Sequence, residues 1–188
     1  MKHLRKRSEM WLALLVVVLS MVVMPAHALS IAKATLEELT RESQHIVVGR
    51  IVAIDYQWQN VDHQVIETVL TVAVENPVKG VSSPTIQVTQ LGGTIGDLTM
   101  EIPGTPQFDV GDEVLLFLQD HQNKYWIHSI ALGAFSIVTE NNGEKLVVNH
   151  LRGIDLIDPG SGARVAADEA FPIIPLTEFL EQVNHYIR

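Results

Sequence analysis

The chain has 188 residues, 13 Lys and Arg against 22 Asp and Glu, a net charge of −9, 47% hydrophobic residues and no cysteine. These values exclude a disulfide scaffold, a thiolate metal centre, a cysteine nucleophile and a collagen-like chain. Without residues 1–28, 9 basic residues face 21 acidic ones, a net charge of −12, which repels nucleic-acid phosphates and anionic lipid headgroups.

Residues 1–28 have the three-part layout of a secretory signal. Lys2, Arg5, Lys6 and Arg7 make a basic start, residues 10–24 are apolar apart from Ser20, and Pro25, Ala26, His27 and Ala28 add a helix breaker and small residues. Cleavage is expected after Ala28. A retained membrane span needs roughly 20 apolar residues, and this run has fifteen. No cysteine follows for lipid attachment, and Arg5-Lys6-Arg7 lacks the adjacent arginines of twin-arginine export. The expectation is a Sec-type signal peptide over 1–28 and one domain over 29–188, periplasmic or extracellular, with no membrane contact after cleavage. That length suffices for one core, since a domain of this size buries about 70% of its unfolded surface.

Along the remaining chain, Thr35 and Glu38 form a capping-box pattern that predicts a short helix over 36–43, with Leu36 and Leu39 facing the body. Residues 46–56 read as a central strand, apolar on both faces, and 57–63 turn the chain back. Over 65–75, Ile66, Thr68, Leu70, Val72 and Val74 alternate with a wet side that includes Glu67, Thr71 and Glu75, the pattern of a half-buried antiparallel strand. Asn76-Pro77 and Lys79-Gly80 break it, and 85–91 resume with Ile86 and Val88 on one face. A Gly- and Pro-rich segment, 92–106, connects to a strand over 113–119 whose five consecutive apolar residues call for cover on both faces.

Residues 125–132 and 135–139 then flank Gly133 and are expected to form one long strand with a bulge or bend. Asn141-Asn142-Gly143 is hairpin chemistry leading into 145–149. Residues 151–171 lose periodicity and read as loop. Leu176, Phe179, Leu180, Val183 and Ile187 fall on one stripe of an amphipathic helix over 177–186.

Without a helical crossover of βαβ type, these elements predict a mainly β fold: a small antiparallel OB-like β-barrel over about 45–149, with a short N-terminal helix and a C-terminal amphipathic helix. Closure into a barrel removes sheet edges that would recruit other chains. OB barrels usually carry a helix between strands three and four; here 92–106 take that position.

Residues 46–52 (IVVGRIV), 71–75 (TVAVE) with Lys79-Gly80, Gly92-Gly93, 108–118 (FDVGDEVLLFL) and 132–135 (LGAF) carry a resemblance. Together they resemble an uncharacterised group of exported bacterial domains, similar in strand pattern to the netrin-like modules and the tissue inhibitors of metalloproteinases. The likeness spans roughly 36–140 and implies fold far more than activity. Those inhibitors hold the protease zinc through an N-terminal cysteine, which this chain lacks.

Local chemistry is sparse. There is no Gly-x-Ser-x-Gly elbow for a serine nucleophile. Gly92-Gly93-Thr94-Ile95-Gly96 lacks the Lys-Ser/Thr of a phosphate loop and reads as a bend between strands or as a binding loop of exposed amides. His45, His63, His121, His128, His150 and His185 lack zinc-site spacings, although folding could pair His63 with His128. Asp109, Asp112 and Glu113 suit calcium in chemistry but not in ligand order. No metal or cofactor is expected. Tyr56, Trp58 and Trp126 offer faces for stacking on sugars or anchoring a protein, with Trp126 read as core and Trp58 as a barrel lid or a recognition residue.

The resulting expectation is an exported, non-catalytic binding or interaction module for an unknown protein or polysaccharide ligand, with Tyr56, Trp58, Gly92 and Gly93 as candidate ligand-binding residues. Two alternatives stay open: a modulator of an extracytoplasmic protease, and a small hydrolase whose site is assembled only in three dimensions.

Overall fold

Thr35 caps the first helix as its sequence requires: its hydroxyl accepts from the Glu38 amide at 3.1 Å, and the Glu38 carboxylate accepts from the Thr35 amide at 2.8 Å. In the computed structural model, residues 30–62, 64–151 and 154–188 are described. The expected signal peptide and His63 lie outside the described residues. In chain order the elements are β1 (Ser30–Ala32), α1 (Leu36–Glu42), β2 (His45–Trp58), β3 (Ile66–Lys79), β4 (Thr85–Leu91), β5 (Gly93–Ile95), β6 (Leu98–Met100), β7 (Glu113–His121) and β8 (Lys124–Ile127). They continue with β9 (Ala134–Thr139), β10 (Lys145–Asn149), β11 (Asp155–Ile157), β12 (Arg164–Val165), α2 (Ala167–Ala170), β13 (Ile174–Pro175) and α3 (Leu176–Ile187). No helix among the described residues is long and apolar enough to cross a membrane.

The architecture is the expected one, a mainly β domain whose central sheet closes on itself. Pairing runs β7-β2-β3-β4-β8, and β8 returns to β7. Each pair in this ring is antiparallel except β4–β8, which is parallel and joins Val88 to Tyr125 and Thr89 to Trp126. The β7–β8 hairpin turns at Gln122 and Asn123, both at positive φ, as a two-residue turn matched to strand twist requires. Register shifts in β2 near Val47, Gly49 and Val52 coil this long strand. Gly49 sits where β2 crosses β3, and a Cβ there would meet the Ala73 carbonyl oxygen at 2.4 Å.

Two cores occupy the two faces of β7. Val114, Leu116 and Leu118 join Ile51, Leu70, Val72, Ile86 and Val88 in the core enclosed by the ring. Leu115 and Phe117 face the other way, against Phe135 and Val147 and the helix residues Leu39, Phe179 and Val183. The five-residue apolar run is therefore a strand covered on both sides, and burial of each such side chain contributes about 1.5–3 kcal/mol. At the end of α1, Lys79 Nζ donates to the carbonyls of Thr40 at 2.8 Å, Arg41 at 3.3 Å and Ser43 at 2.6 Å, a cation placed at the negative end of the helix. Burial lowers the Lys79 pKa.

Several expectations need correction. The strand expected to run from 125 to 139 is two strands. β8 closes the ring and β9 continues the sheet outward, while residues 128–133 turn between them with Ser129 and Ile130 at positive φ. Gly133 lies in the tightest part of this turn, because a Cβ there would reach the Phe117 carbonyl oxygen at 2.7 Å. β3 does not stop at Asn76-Pro77; Pro77 pairs with Val47 beside a register shift, the kind of site where a residue without an amide hydrogen fits a sheet. The 92–106 segment contains the β5–β6 hairpin, and 151–171 contain β11, β12 and α2, with β11 parallel to β1. Glu67, expected on a wet face, is fully buried.

Candidate functional site

Two glycines start the site. At the end of β4 the chain passes through Gly92 and Gly93 at φ 101° and 129°, values that favour glycine. The Gly92 amide donates to the Ile66 carbonyl at 2.8 Å, and the Thr68 hydroxyl donates to the Gly92 carbonyl at 2.7 Å. A Cβ on Gly93 would stand 2.4 Å from Tyr56 Cδ1, so the Tyr56 ring lies directly on this backbone. The β5–β6 hairpin follows, tied by Thr94 and Thr99 hydroxyls 3.0 Å apart. The chain then returns across the end of β4, where Gln90 Nε2 donates to the Pro106 carbonyl at 3.1 Å.

Strands and returning segment enclose a cleft of about 720 Å³, walled by Ile54, Tyr56 and Thr68 on one side and Gly92, Gly93 and Phe108 among those on the other. Among its lining residues Glu101 alone carries a full charge. The cleft is therefore nearly neutral inside a strongly acidic protein, with Tyr56 half exposed at its wall. Such a surface suits an uncharged or weakly basic ligand that offers apolar groups with a few hydrogen-bonding ones.

Of the four residues singled out from sequence, Tyr56, Gly92 and Gly93 converge here. Trp58 is not among the lining residues; it is partly buried at the end of β2, paired in register with Ile66. Trp126, read as core, is only partly buried and is not among the residues of either core. Thr68, Gln90 and Phe108 escaped the sequence reading. Gln90 had a signal: it is in phase with the inward residues Ile86 and Val88, where an amide has no packing reason to be.

The described histidines do not line the cleft. His45 Nε2 sits 2.9 Å from Asp120 Oδ2. His128 Nδ1 is 2.9 Å from the Ser43 hydroxyl, and its Nε2 is 3.6 Å from Glu42 Oε2. His150 Nε2 is 2.7 Å from the Ser136 hydroxyl, with its ring edge-on to Phe108. Both serine-histidine pairs have the spacing of a nucleophile and its base, but neither has the setting. Ser43 is fully buried, and Ser136 lies mid-sheet, paired to Val114 and Val148, with its backbone committed to the ladders rather than to an oxyanion.

Burial lowers the pKa of His128, against an opposing pull from Glu42, and burial likewise lowers that of His150, against Asp112. Both rings are neutral in the folded protein near pH 7. A depressed folded pKa of a base means that the unfolded chain takes up protons first as pH falls below about 6.5. Stability is thus complete above that value and declines below it. Urea unfolding midpoints are expected to fall from pH 7 to pH 5, and His128→Asn to flatten that dependence; an unchanged slope in the variant would assign the effect elsewhere.

The acidic turn resolves into internal contacts. Asp112 Oδ2 accepts from the Asp109 amide at 2.8 Å, and Glu113 is ion-paired with Arg50 and, at 2.6 Å, with Lys145. The Lys145 hydrogen bond is the foremost cause that lowers the Glu113 pKa; burial opposes it, and Arg50 assists. Among the described residues, no three His, Asp or Glu side chains are grouped so as to hold a metal ion.

A scan against protein-family models finds no match to this chain, and a search of curated proteins finds no significant relative.

Proposed function

We propose that this chain is an exported, non-catalytic binding module whose ligand occupies the cleft between Tyr56 and the 92–108 segment. The observation that carries this reading is the convergence of Tyr56, Gly92 and Gly93 on one nearly neutral cleft. The ring order, with a parallel pair between its third and fifth strands, supports an OB-like barrel, an architecture that binds ligands across its strand face and loops. The basic and apolar leader supports export to the periplasm or beyond. The hydrolase alternative gains nothing from serines that are sealed or held mid-sheet.

The test is a ¹H–¹⁵N NMR titration of the purified chain with a panel of neutral peptide and oligosaccharide fragments. Shifts are expected to cluster on Tyr56, Gly92, Gly93 and Phe108. Tyr56→Ala should weaken any such fragment about tenfold, the loss typical of an aromatic contact residue. Fragments that bind with no response from the cleft residues would overturn the reading.

A further inference from the structure

β7 accompanies β2 only from His45 to Arg50. One further residue is held on that side: the Gly111 amide donates to the Ile51 carbonyl at 2.8 Å, and the Ile51 amide donates to the Asp112 carbonyl at 2.9 Å. On its other side β2 stays paired with β3 as far as Trp58. The outer half of β2, residues 53–58, therefore has a strand neighbour on one side only among the described residues. Sheets blunt such edges with Lys, Pro or a bulge. Residues 53–58 contain neither Lys nor Pro, and the register shift of β2 lies before them, between Ile51 and Ala53.

The ladder decides which backbone groups face the open side, because successive residues of an antiparallel strand turn their N–H and C=O to alternate neighbours. The Gln59 amide donates to the Val65 carbonyl at 2.9 Å, and the register runs unbroken from Ala53 opposite Thr71 to Trp58 opposite Ile66. Asp55 and Gln57 thus bond to β3, while Ile54 and Tyr56 turn their backbone groups outward. β3 agrees: its Ile66 carbonyl accepts from Gly92, on the β4 side, which leaves Glu67 and Val69 to face β2. Neither Ile54 nor Tyr56 has a backbone partner on the open side among the described residues. Their side chains line the cleft, whereas Asp55 and Gln57 lie on the opposite face beside Val69 and Lys124. Lys124 is committed to Glu67, so exposed Asp55 is the charge that an added strand would meet.

We propose that an extended peptide of apolar-basic-apolar pattern adds to β2 as an antiparallel strand, in the ladder position that β7 leaves vacant. The unpaired amides and carbonyls of Ile54 and Tyr56 call for an extended backbone, which supplies donors and acceptors at the same repeat. Two residues of the peptide stand across from Ile54 and Tyr56 and send their apolar side chains toward the cleft. The residue between them faces Asp55 in the closer, non-hydrogen-bonded kind of pair, where an opposite charge stabilises and a like charge destabilises. A second copy of this chain fits the edge less well, since a net charge of −9 sets two copies against each other. This assignment rests on the cleft reading above and deepens it by naming the ligand class and the strand that holds it.

The experiment follows amide hydrogen exchange and ¹H–¹⁵N shifts of the labelled chain, titrated with acetyl-Thr-Val-Lys-Val-Thr-amide and its Glu-for-Lys analogue. In the free chain the Ile54 and Tyr56 amides are expected to exchange at least tenfold faster than those of Asp55 and Gln57, and the lysyl peptide should slow them. It should bind about fivefold more tightly than the glutamyl one, a preference that Asp55→Asn reduces to less than twofold. N-methylation of both valines removes the donors to the Ile54 and Tyr56 carbonyls and should cost at least tenfold, whereas N-methylation of the lysine, whose N–H points away from β2, should cost less than twofold. Equal losses from the two methylations, or a preference for lysine that survives Asp55→Asn, would overturn the inference. So would protection of Ile54 and Tyr56 that grows with protein concentration alone, which would assign the edge to a second copy. Binding that shifts Gly92, Gly93 and Phe108 but leaves exchange at Ile54 and Tyr56 unchanged overturns this inference and leaves the cleft reading standing. No response at any cleft residue, to these peptides or to the neutral fragments above, overturns both.

Discussion

Phe117→Ala is expected to destabilise the protein by about 3–5 kcal/mol, the range for deleting a buried aromatic side chain. Phe117 is fully buried, with its ring 5.7 Å from Phe135 and 6.3 Å from Phe179, so one side chain joins β7, β9 and α3. Its backbone also holds the 128–133 turn: its carbonyl accepts from the His128 amide at 2.9 Å and its amide donates to the Gly133 carbonyl at 2.8 Å. For a chain of this length, the loss corresponds to a fall of about 10 °C in Tm. Urea denaturation is the measurement, with Val138→Ala as the control. Val138 is 48% exposed and should move stability by about 0.5 kcal/mol or less. A loss below about 1 kcal/mol for Phe117→Ala would mean that α3 does not pack on the sheet as described.

The second large effect concerns Glu67, whose side chain is fully buried. Its Oε2 accepts from Lys124 Nζ at 2.6 Å and from Gln57 Nε2 at 3.1 Å. Burial works against the charge more than any other single influence, yet the hydrogen bonds from Lys124 and Gln57 and the charge of Lys124 together hold the pKa below its ordinary value. Lys124→Met leaves the carboxylate buried without its cation. Breaking a fully buried pair costs about 3–5 kcal/mol; Lys124 is 35% exposed, so solvent screening reduces the expected loss to about 2–3 kcal/mol at pH 7.

The pH dependence of that loss has a definite sign. In the native chain the depressed Glu67 pKa contributes stability above about pH 4.5, which is lost as pH falls through the folded value. In Lys124→Met the pKa is raised instead, so the deficit should shrink between pH 7 and pH 5 as the carboxyl takes up a proton. Adding Glu67→Gln should restore most of the stability at pH 7. A deficit that is the same at both pH values and unrelieved by the second substitution would locate the cost in lost packing of the Lys124 stem.

Where local chemistry decides a structure, the residues announce it. The capping box at Thr35 and Glu38, the alternation over 85–91 and the Asn142-Gly143 turn all lead to elements close to those observed. Where distant segments decide, they do not. β11 and β12 are two or three residues long and exist because β1 lies beside β11. Ser129 and Ile130 carry no mark of the positive φ they adopt, which is imposed by the split between β8 and β9. Glu67 misleads for a related reason: alternation assigns a strand two faces but not what covers the second one. The cleft was legible through Tyr56 and the glycine pair, since tandem glycines flag a close approach of backbone. Trp126 stands beside β4 only through the β4–β8 pairing, four residues in all, from segments far apart in the chain.

That pairing is also the narrowest seam of the ring. β3 and β4 share seven residue pairs, whereas β4 and β8 share two. Breathing motions begin where the fewest bonds must part, so this junction should yield while the rest of the sheet stays shut. Because Val88 at this seam belongs to the core enclosed by the ring and Tyr125 packs against that core, opening there would bare one edge of it while the core on the other face of β7 stays covered: the closure of the ring and the dryness of its interior give way together.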